Sequence, residues 1–195
     1  MHTILHRINS IALLKKTPLN FGVEIDIRSN GENLILHHDP FEQGELFEEW
    51  IEFYHHGTLI LNVKEEGLEG PLIRLMNDYQ IKDFFFLDQS FPFLRKTAKM
   101  GESRCAVRLS EYENIETVLS LTGMVDWVWI DCFTRFPLNK EEANQLNKLG
   151  FKLCIVSPEL QGRTNRIDVE QFKDDLELKG IKGDAVCTKY ADLWS

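Results

Sequence analysis

Short apolar runs alternate with longer stretches of helical spacing along the whole chain. The runs TILHRI (3–8), GVEIDI (22–27), TLILNVK (58–64), DFFFLDQ (83–89), RCAVRLS (104–110), DWVWIDCF (126–133), FKLCIVS (151–157) and DAVCTKY (184–190) predict eight principal strands. Most are nearly continuous in apolar residues, the pattern of parallel strands covered on both faces. SIALLKK (10–16), FEEWIEFY (47–54), PLIRLMNDYQ (71–80), FPFLRKTAKMG (91–101), ENIETVLSLTG (113–123), NKEEANQLNKLG (139–150) and DVEQFKDDLELKG (168–180) predict helices, four of them stopped by a glycine. After Ser29-Asn30-Gly31 the run NLILHH (33–38) predicts a hairpin arm or a tight excursion. The alternation predicts a compact (β/α)8 TIM barrel of parallel strands, with a doubly wound open sheet as the alternative. No GxGxxG or GxxxxGK[ST] motif follows a strand to favour the open sheet. Without linker, repeat or low-complexity tract, residues 1–195 are expected to form one domain.

Composition narrows the function. Charged residues reach 27% with a net charge of −9 and no compensating basic block, which argues against nucleic acid as partner. No apolar stretch approaches the roughly 20 residues of a membrane span. The opening MHTILHRINSIALLKK lacks a basic leader and a small-residue cleavage site, so no secretory signal is expected. Cys105, Cys132, Cys154 and Cys187 lie far apart inside apolar runs and form no zinc-type pair. They are expected to be free thiols in a reducing compartment. A cytoplasmic protein acting on a small molecule is the expectation.

Polar residues gather where the strands end. Glu24 and Asp26 stand two apart, so both carboxylates point to one side of their strand. They either flank a proton or a hard cation such as Mg²⁺ or Ca²⁺, or face water from an edge strand. His6 and His38 are the natural acid–base pair, because histidine titrates nearest neutrality. His37 should face away from His38, and His55-His56 begin a strand, away from any chemistry. Arg7 and Lys64 would supply positive charge to a phosphate. Asp88, Arg108, Asp131, Ser157, Thr188 and Lys189 occupy the remaining strand ends. Of Trp127 and Trp129, one is expected against the helices and the other in the barrel or its mouth, on the side of Asp131.

His6-Arg7, Glu24-x-Asp26, His38-Asp39 and LNVK (61–64) together resemble the motifs of the glycerophosphodiester phosphodiesterases, phospholipase-C-like enzymes on a TIM barrel. The resemblance covers the first third of the chain in order and spacing, and the rest in rhythm. It implies hydrolysis of a small phosphodiester, with His6 and His38 as general base and general acid. It further implies Arg7 and Lys64 on the phosphate, and Glu24, Asp26 and Asn62 around Mg²⁺ or Ca²⁺. Three departures accompany it. Asn62 stands where the family carries a glutamate, which weakens a cation site by one charge. The passage after His38 is short where many relatives have an insertion, and HRI replaces the usual HRG.

Two other functions remain in view. The Asn62 departure fits a barrel that binds a phosphorylated small molecule without efficient turnover. A third class, an aldolase-like or isomerase barrel, would use Lys64 as a Schiff base.

Overall fold

A computed structural model of the chain describes residues 1–194. The elements run β1 (His2–Leu5), α1 (Ile11–Leu14), β2 (Gly22–Asn30), β3 (Asn33–Leu36), β4 (Glu45–Leu46), α2 (Phe47–Ile51), β5 (Leu59–Val63), α3 (Glu69–Asp78), β6 (Phe84–Leu87) and α4 (Phe91–Lys99). They continue with β7 (Ala106–Leu109), α5 (Ile115–Leu119), β8 (Trp127–Ile130), α6 (Lys140–Lys148), β9 (Lys152–Val156), a 3-10 turn (Pro158–Gln161), α7 (Arg166–Lys179), β10 (Ala185–Thr188) and α8 (Ala191–Trp194). Each of the eight expected strands is present, and the fold is a mixed α/β one. The two-residue β4, the 3-10 turn and α8 had no counterpart in the sequence pattern, being too short for a period to register.

A parallel ladder runs β6–β5–β2–β1–β10–β9–β8–β7 and curls the sheet. Its two outer strands, β6 and β7, meet through one bridge, Phe86–Cys105, and the bond from Phe86 N to Arg104 O at 2.9 Å. The hairpin is as expected: β3 pairs antiparallel with Ile27–Asn30 of β2 through a two-residue turn in which Gly31 takes φ 64°. β4 extends this flap. Glu24 and Asp26 lie upstream of it, between β1 and β5, and both are fully buried, so the edge-strand reading of this pair is overturned.

Alternation divides the strand residues into two apolar layers. Ile4, Ile60, Phe85, Leu87, Ala106, Trp127, Trp129, Cys154, Val156, Ala185 and Cys187 pack together on the concave side. Val23, Ile25, Leu59, Leu61, Phe86, Val107, Val128 and Val186 pack outward with the helices. Both tryptophans are therefore interior, which corrects the expected split; residues two apart on a strand share a face. Phe85 stacks on Trp127 with centroids 4.5 Å apart, filling the space between β6 and β8. All four cysteines are free and buried. No helix among the described residues is long and apolar enough to cross a membrane.

The base of the β1–β2–β5 junction is tight. A Cβ on Gly22 would sit 2.6 Å from Thr58 O and 2.8 Å from Ile4 Cγ1. Thr58 O is held by Val23 N at 3.0 Å and has no freedom to retreat. Gly22→Ala is expected to cost about 2 kcal/mol and lower Tm by roughly 5 °C. An unchanged Tm in a thermal melt would contradict this packing.

Loops at the strand C-termini are tied by Glu111. Its carboxylate accepts from Thr134 N at 2.7 Å, Arg135 N at 2.8 Å and Phe133 N at 3.2 Å. Partial burial opposes ionisation, but these backbone donors outweigh it and lower the carboxyl from 4.5 to about 2. A depressed acid stabilises the fold above its unfolded value and loses that contribution as pH falls through the folded one. Tm should accordingly fall between pH 4.5 and about 2, and Glu111→Gln should flatten that limb. An identical acid limb in the variant would sink the assignment.

Candidate active site

The polar row sits directly above the concave apolar layer. β1 delivers His6, β2 Glu24 and Asp26, and β5 Asn62 and Lys64, all in the inward register. Arg7, two residues past β1, takes φ 57°, a left-handed conformation that costs a non-glycine residue energy. The turn it makes points Arg7 N at Glu24 Oε2 (2.7 Å) and Ile8 N at Glu24 O (2.8 Å). Asn62 Nδ2 donates to the other Glu24 oxygen at 2.8 Å, and His6 Nε2 stands 3.8 Å from Oε2.

Asp26 is held from three sides. Lys64 Nζ is 3.0 Å from Oδ1, Arg7 Nε is 3.5 Å from Oδ2, and Asn9 Nδ2 donates to Oδ2 at 2.8 Å. Asn9 Oδ1 in turn accepts from Asp26 N at 2.8 Å, which closes a two-bond clamp. Asn9 is a site residue that the motif reading missed. Its only signal was an amide two residues beyond His6-Arg7, in a loop without period.

The network continues across the mouth. Lys64 also reaches Asp88 at 3.3 Å, and Asp88 lies 3.6 Å from Arg108 Nε. Arg108 Nη2 pairs with the fully buried Asp131 at 2.8 Å, which also accepts from Trp129 Nε1 and Gln161. Asp88 is a second left-handed non-glycine residue, at φ 61°. A third, Phe41 at φ 66°, follows the His38 segment. The fourth left-handed non-glycine residue, Gln80 at φ 57°, lies before β6 at the other end of the strands, so two of the four, Arg7 and Asp88, belong to this polar row.

Electrostatics follow from this packing. Burial, then the positive charges of Arg7, Lys189 and Lys64, bring the His6 imidazole down to about 3 against the pull of Asp26. His6 is therefore neutral, and its Nδ1 has no hydrogen-bond partner. Burial, then repulsion from Asp26, push the Glu24 carboxyl up to about 7 against the Asn62 and Arg7 bonds. Burial raises Asp131 to about 6, with Arg108 opposing.

His38 stands apart from this hydrogen-bonded group. It lies past β3 with its side chain 39% exposed, and Asp39 Oδ1 holds its Nδ1 at 2.7 Å. Arg28 clamps its carbonyl oxygen through Nε and Nη2, at 3.1 and 2.9 Å. Arg28 also pairs with Glu65, next to Lys64, so the flap is tied to the end of β5. The His38 hydrogen bond lowers the Asp39 carboxyl. Of the other histidines, His55 is exposed, while His56 bonds Thr17 O at 3.0 Å away from the site.

Whether these residues suit a divalent cation is decided by their oxygens. No cluster of three or more His, Cys, Asp or Glu suited to a metal exists among the described residues. Two buried carboxylates and one amide are present, however; Asn62 Oδ1 is buried without a hydrogen-bond donor, and Asp26 Oδ1 meets only the Lys64 ammonium at 3.0 Å. That set fits a hard, oxygen-seeking ion. Lys64 competes for Asp26 Oδ1, and Glu24 already accepts two N–H bonds, so the fit is that of a weak site.

No family model matches the chain, and no curated protein does. Solved structures do. A glycerophosphodiester phosphodiesterase from Agrobacterium tumefaciens str. C58 superposes with TM-score 0.69 at 13% identity, over 100% of this chain and 97% of that one. A putative glycerophosphoryl diester phosphodiesterase from the same organism gives TM-score 0.68 at 13% identity, over 97% and 93%. The chain has the fold of the glycerophosphodiester phosphodiesterases.

Proposed function

We propose that the chain hydrolyses a small phosphodiester of the glycerophosphodiester kind. The observation that supports this most is the convergence of His6, Arg7, Glu24, Asp26, Asn62 and Lys64 at one end of three adjacent parallel strands, where chemistry collects in (β/α)8 barrels. We read the curled sheet as such a barrel, a single domain seamed at Phe86–Cys105. The buried free thiols suit the cytoplasm.

In this reading the phosphodiester lies over the polar row. Arg7, whose side chain is 40% exposed, and Lys64 hold its non-bridging oxygens and stabilise the charge that grows on them. Neutral His6 accepts the proton of the attacking hydroxyl, which belongs to water or to a neighbouring carbon of the substrate. A new P–O bond forms, the bond to the leaving alcohol breaks, and His38 gives that alcohol a proton. With Nδ1 fixed on Asp39, Nε2 of His38 is the nitrogen free to exchange it. Glu24, Asp26 and Asn62 would hold Mg²⁺ or Ca²⁺, which when bound screens the phosphate charge. Without a cation, Glu24 positions the loop of Arg7 through the Arg7 N bond.

The test is turnover of bis(p-nitrophenyl) phosphate and of a glycerophosphodiester, with and without chelator. Turnover that chelator suppresses and Mg²⁺ or Ca²⁺ restores is expected. Chelator-insensitive turnover contradicts the cation role, and no turnover at any cation concentration contradicts the function. The engagement of every Glu24 oxygen by an N–H favours one alternative, a barrel that binds a phosphorylated small molecule without hydrolysing it. Phosphate-compound binding without hydrolysis would establish that alternative.

A further inference from the structure

The charges at the mouth do not leave an obvious counterion for an incoming anion. Glu24, Asp26, Asp88 and Asp131 are matched by Arg7, Lys64 and Arg108, each of which already touches at least one of these carboxylates or its neighbour. A phosphodiester brings a further negative charge, and desolvating it next to two buried carboxylates is unfavourable without a cation to spare.

Lys189 is such a cation. It follows the last residue of β10, and β10 neighbours β1 in the ladder, with Leu5 opposite Thr188 and His6 N bonded to Thr188 O at 3.0 Å. Ala185 and Cys187 lie in the concave layer, so the alternating row reaches position 189 at the level of His6. Its side chain is exposed, and among the described residues no carboxylate stands within ion-pair distance of its ammonium. Its backbone, by contrast, is tightly fixed. The almost fully buried Glu159 accepts from Lys189 N at 2.8 Å and Thr188 Oγ1 at 2.6 Å, and its other oxygen accepts from Ser157 Oγ. Ser157 Oγ also accepts from Trp194 Nε1 at 3.0 Å, and Tyr190 N donates to Thr188 Oγ1 at 2.9 Å. A buried carboxylate without a cationic partner is an expensive way to hold a surface turn. Here it sets the base of one lysine beside His6, and the charge of that lysine is felt at the His6 ring.

We infer that Lys189 is a further phosphate-binding residue, contacting the substrate's non-bridging oxygens from the β10 side while Arg7 and Lys64 contact them from β1 and β5. This rests on the reading of the mouth as a phosphodiester site, and not on hydrolysis taking place there.

The test compares wild type, Lys189→Met, Lys189→Arg, Lys189→Glu and the remote exposed control Lys182→Met in the full chain. Calorimetry reads the Kd of inorganic phosphate at pH 7, and steady-state kinetics read KM and kcat on bis(p-nitrophenyl) phosphate. Lys189→Met is expected to raise Kd and KM about tenfold, the loss of one charged hydrogen bond. Lys189→Arg should stay within about threefold of wild type, Lys189→Glu should abolish binding, and the control should match wild type. A Tm unchanged in Lys189→Met separates the effect from damage to the fold, because the side chain is exposed. Unchanged Kd and KM in Lys189→Met, with wild type turning over, overturn this inference and leave the hydrolase reading standing. Phosphate binding that depends on Lys189 without any turnover supports the inference and removes the hydrolase reading. Wild type that binds no phosphate overturns the inference.

Discussion

His6→Ala is expected to lower kcat for phosphodiester hydrolysis by about 10²–10⁴-fold, the usual contribution of a positioned general base. Its effect on stability should be small. The imidazole makes no hydrogen bond through Nδ1 and only a 3.8 Å approach to Glu24, while the backbone bond to Thr188 O survives the substitution. Tm within about 3 °C of wild type is therefore expected alongside the kinetic loss. The two readouts together identify a catalytic side chain. A kinetic loss accompanied by a large fall in Tm would instead make His6 a structural residue, and unchanged kcat would remove it from the mechanism. His38→Ala should reproduce the kinetic loss most strongly on substrates with a poor leaving alcohol, since p-nitrophenolate departs without a proton.

Lys64→Met should have the largest effect on the fold. The lysine is only 14% exposed and its ammonium is the direct partner of the fully buried Asp26. Removing one member of a buried pair leaves the other charge uncompensated, at a cost of roughly 3 kcal/mol. For a chain of this size that is a Tm lowered by about 10 °C. Arg7 at 3.5 Å and the Asn9 clamp offset part of the loss but do not replace the charge at Oδ1. The double variant Asp26→Asn/Lys64→Met tests the cause, because it removes both charges and should recover most of the stability. Additive losses in the double variant would show that the pair is not the reason. Turnover should be lost in both. Ca²⁺ binding by Lys64→Met, read by calorimetry, should tighten relative to wild type, because the ion no longer competes with the ammonium for Asp26 Oδ1.

Much of this was legible from residue order alone, for a physical reason. Parallel strands covered on both faces leave uninterrupted apolar runs, so each strand announced itself from TILHRI to DAVCTKY. Period-two geometry placed Glu24 with Asp26 before any coordinates. The same rule should have put Trp127 and Trp129 together, and the structure does so. Contacts made by loops were not legible. The Asn9 clamp exists only because Arg7 turns left-handed, and a backbone dihedral leaves no periodic trace. The buried Glu159 reads as a loop acid in SPEL, since nothing local reveals that Ser157, Thr188 and the Lys189 backbone converge on it. The Phe86–Cys105 seam is likewise a property of how far the sheet curls, which no single strand encodes. His38 was correctly placed at a hairpin end, but its exposure and its Asp39 partner depend on the bend after Leu36.

The central claim is that this end of the sheet cleaves a phosphodiester using the two histidines. Phosphorus-31 NMR of a glycerophosphodiester incubated with the full chain and Mg²⁺ or Ca²⁺ tests it most directly. The account predicts that the diester resonance is replaced by that of a phosphomonoester, directly or through a cyclic phosphate. It predicts no such change with the folded His6→Ala/His38→Ala variant. A diester resonance that persists unchanged with wild type, or one consumed equally by the double variant, would contradict it.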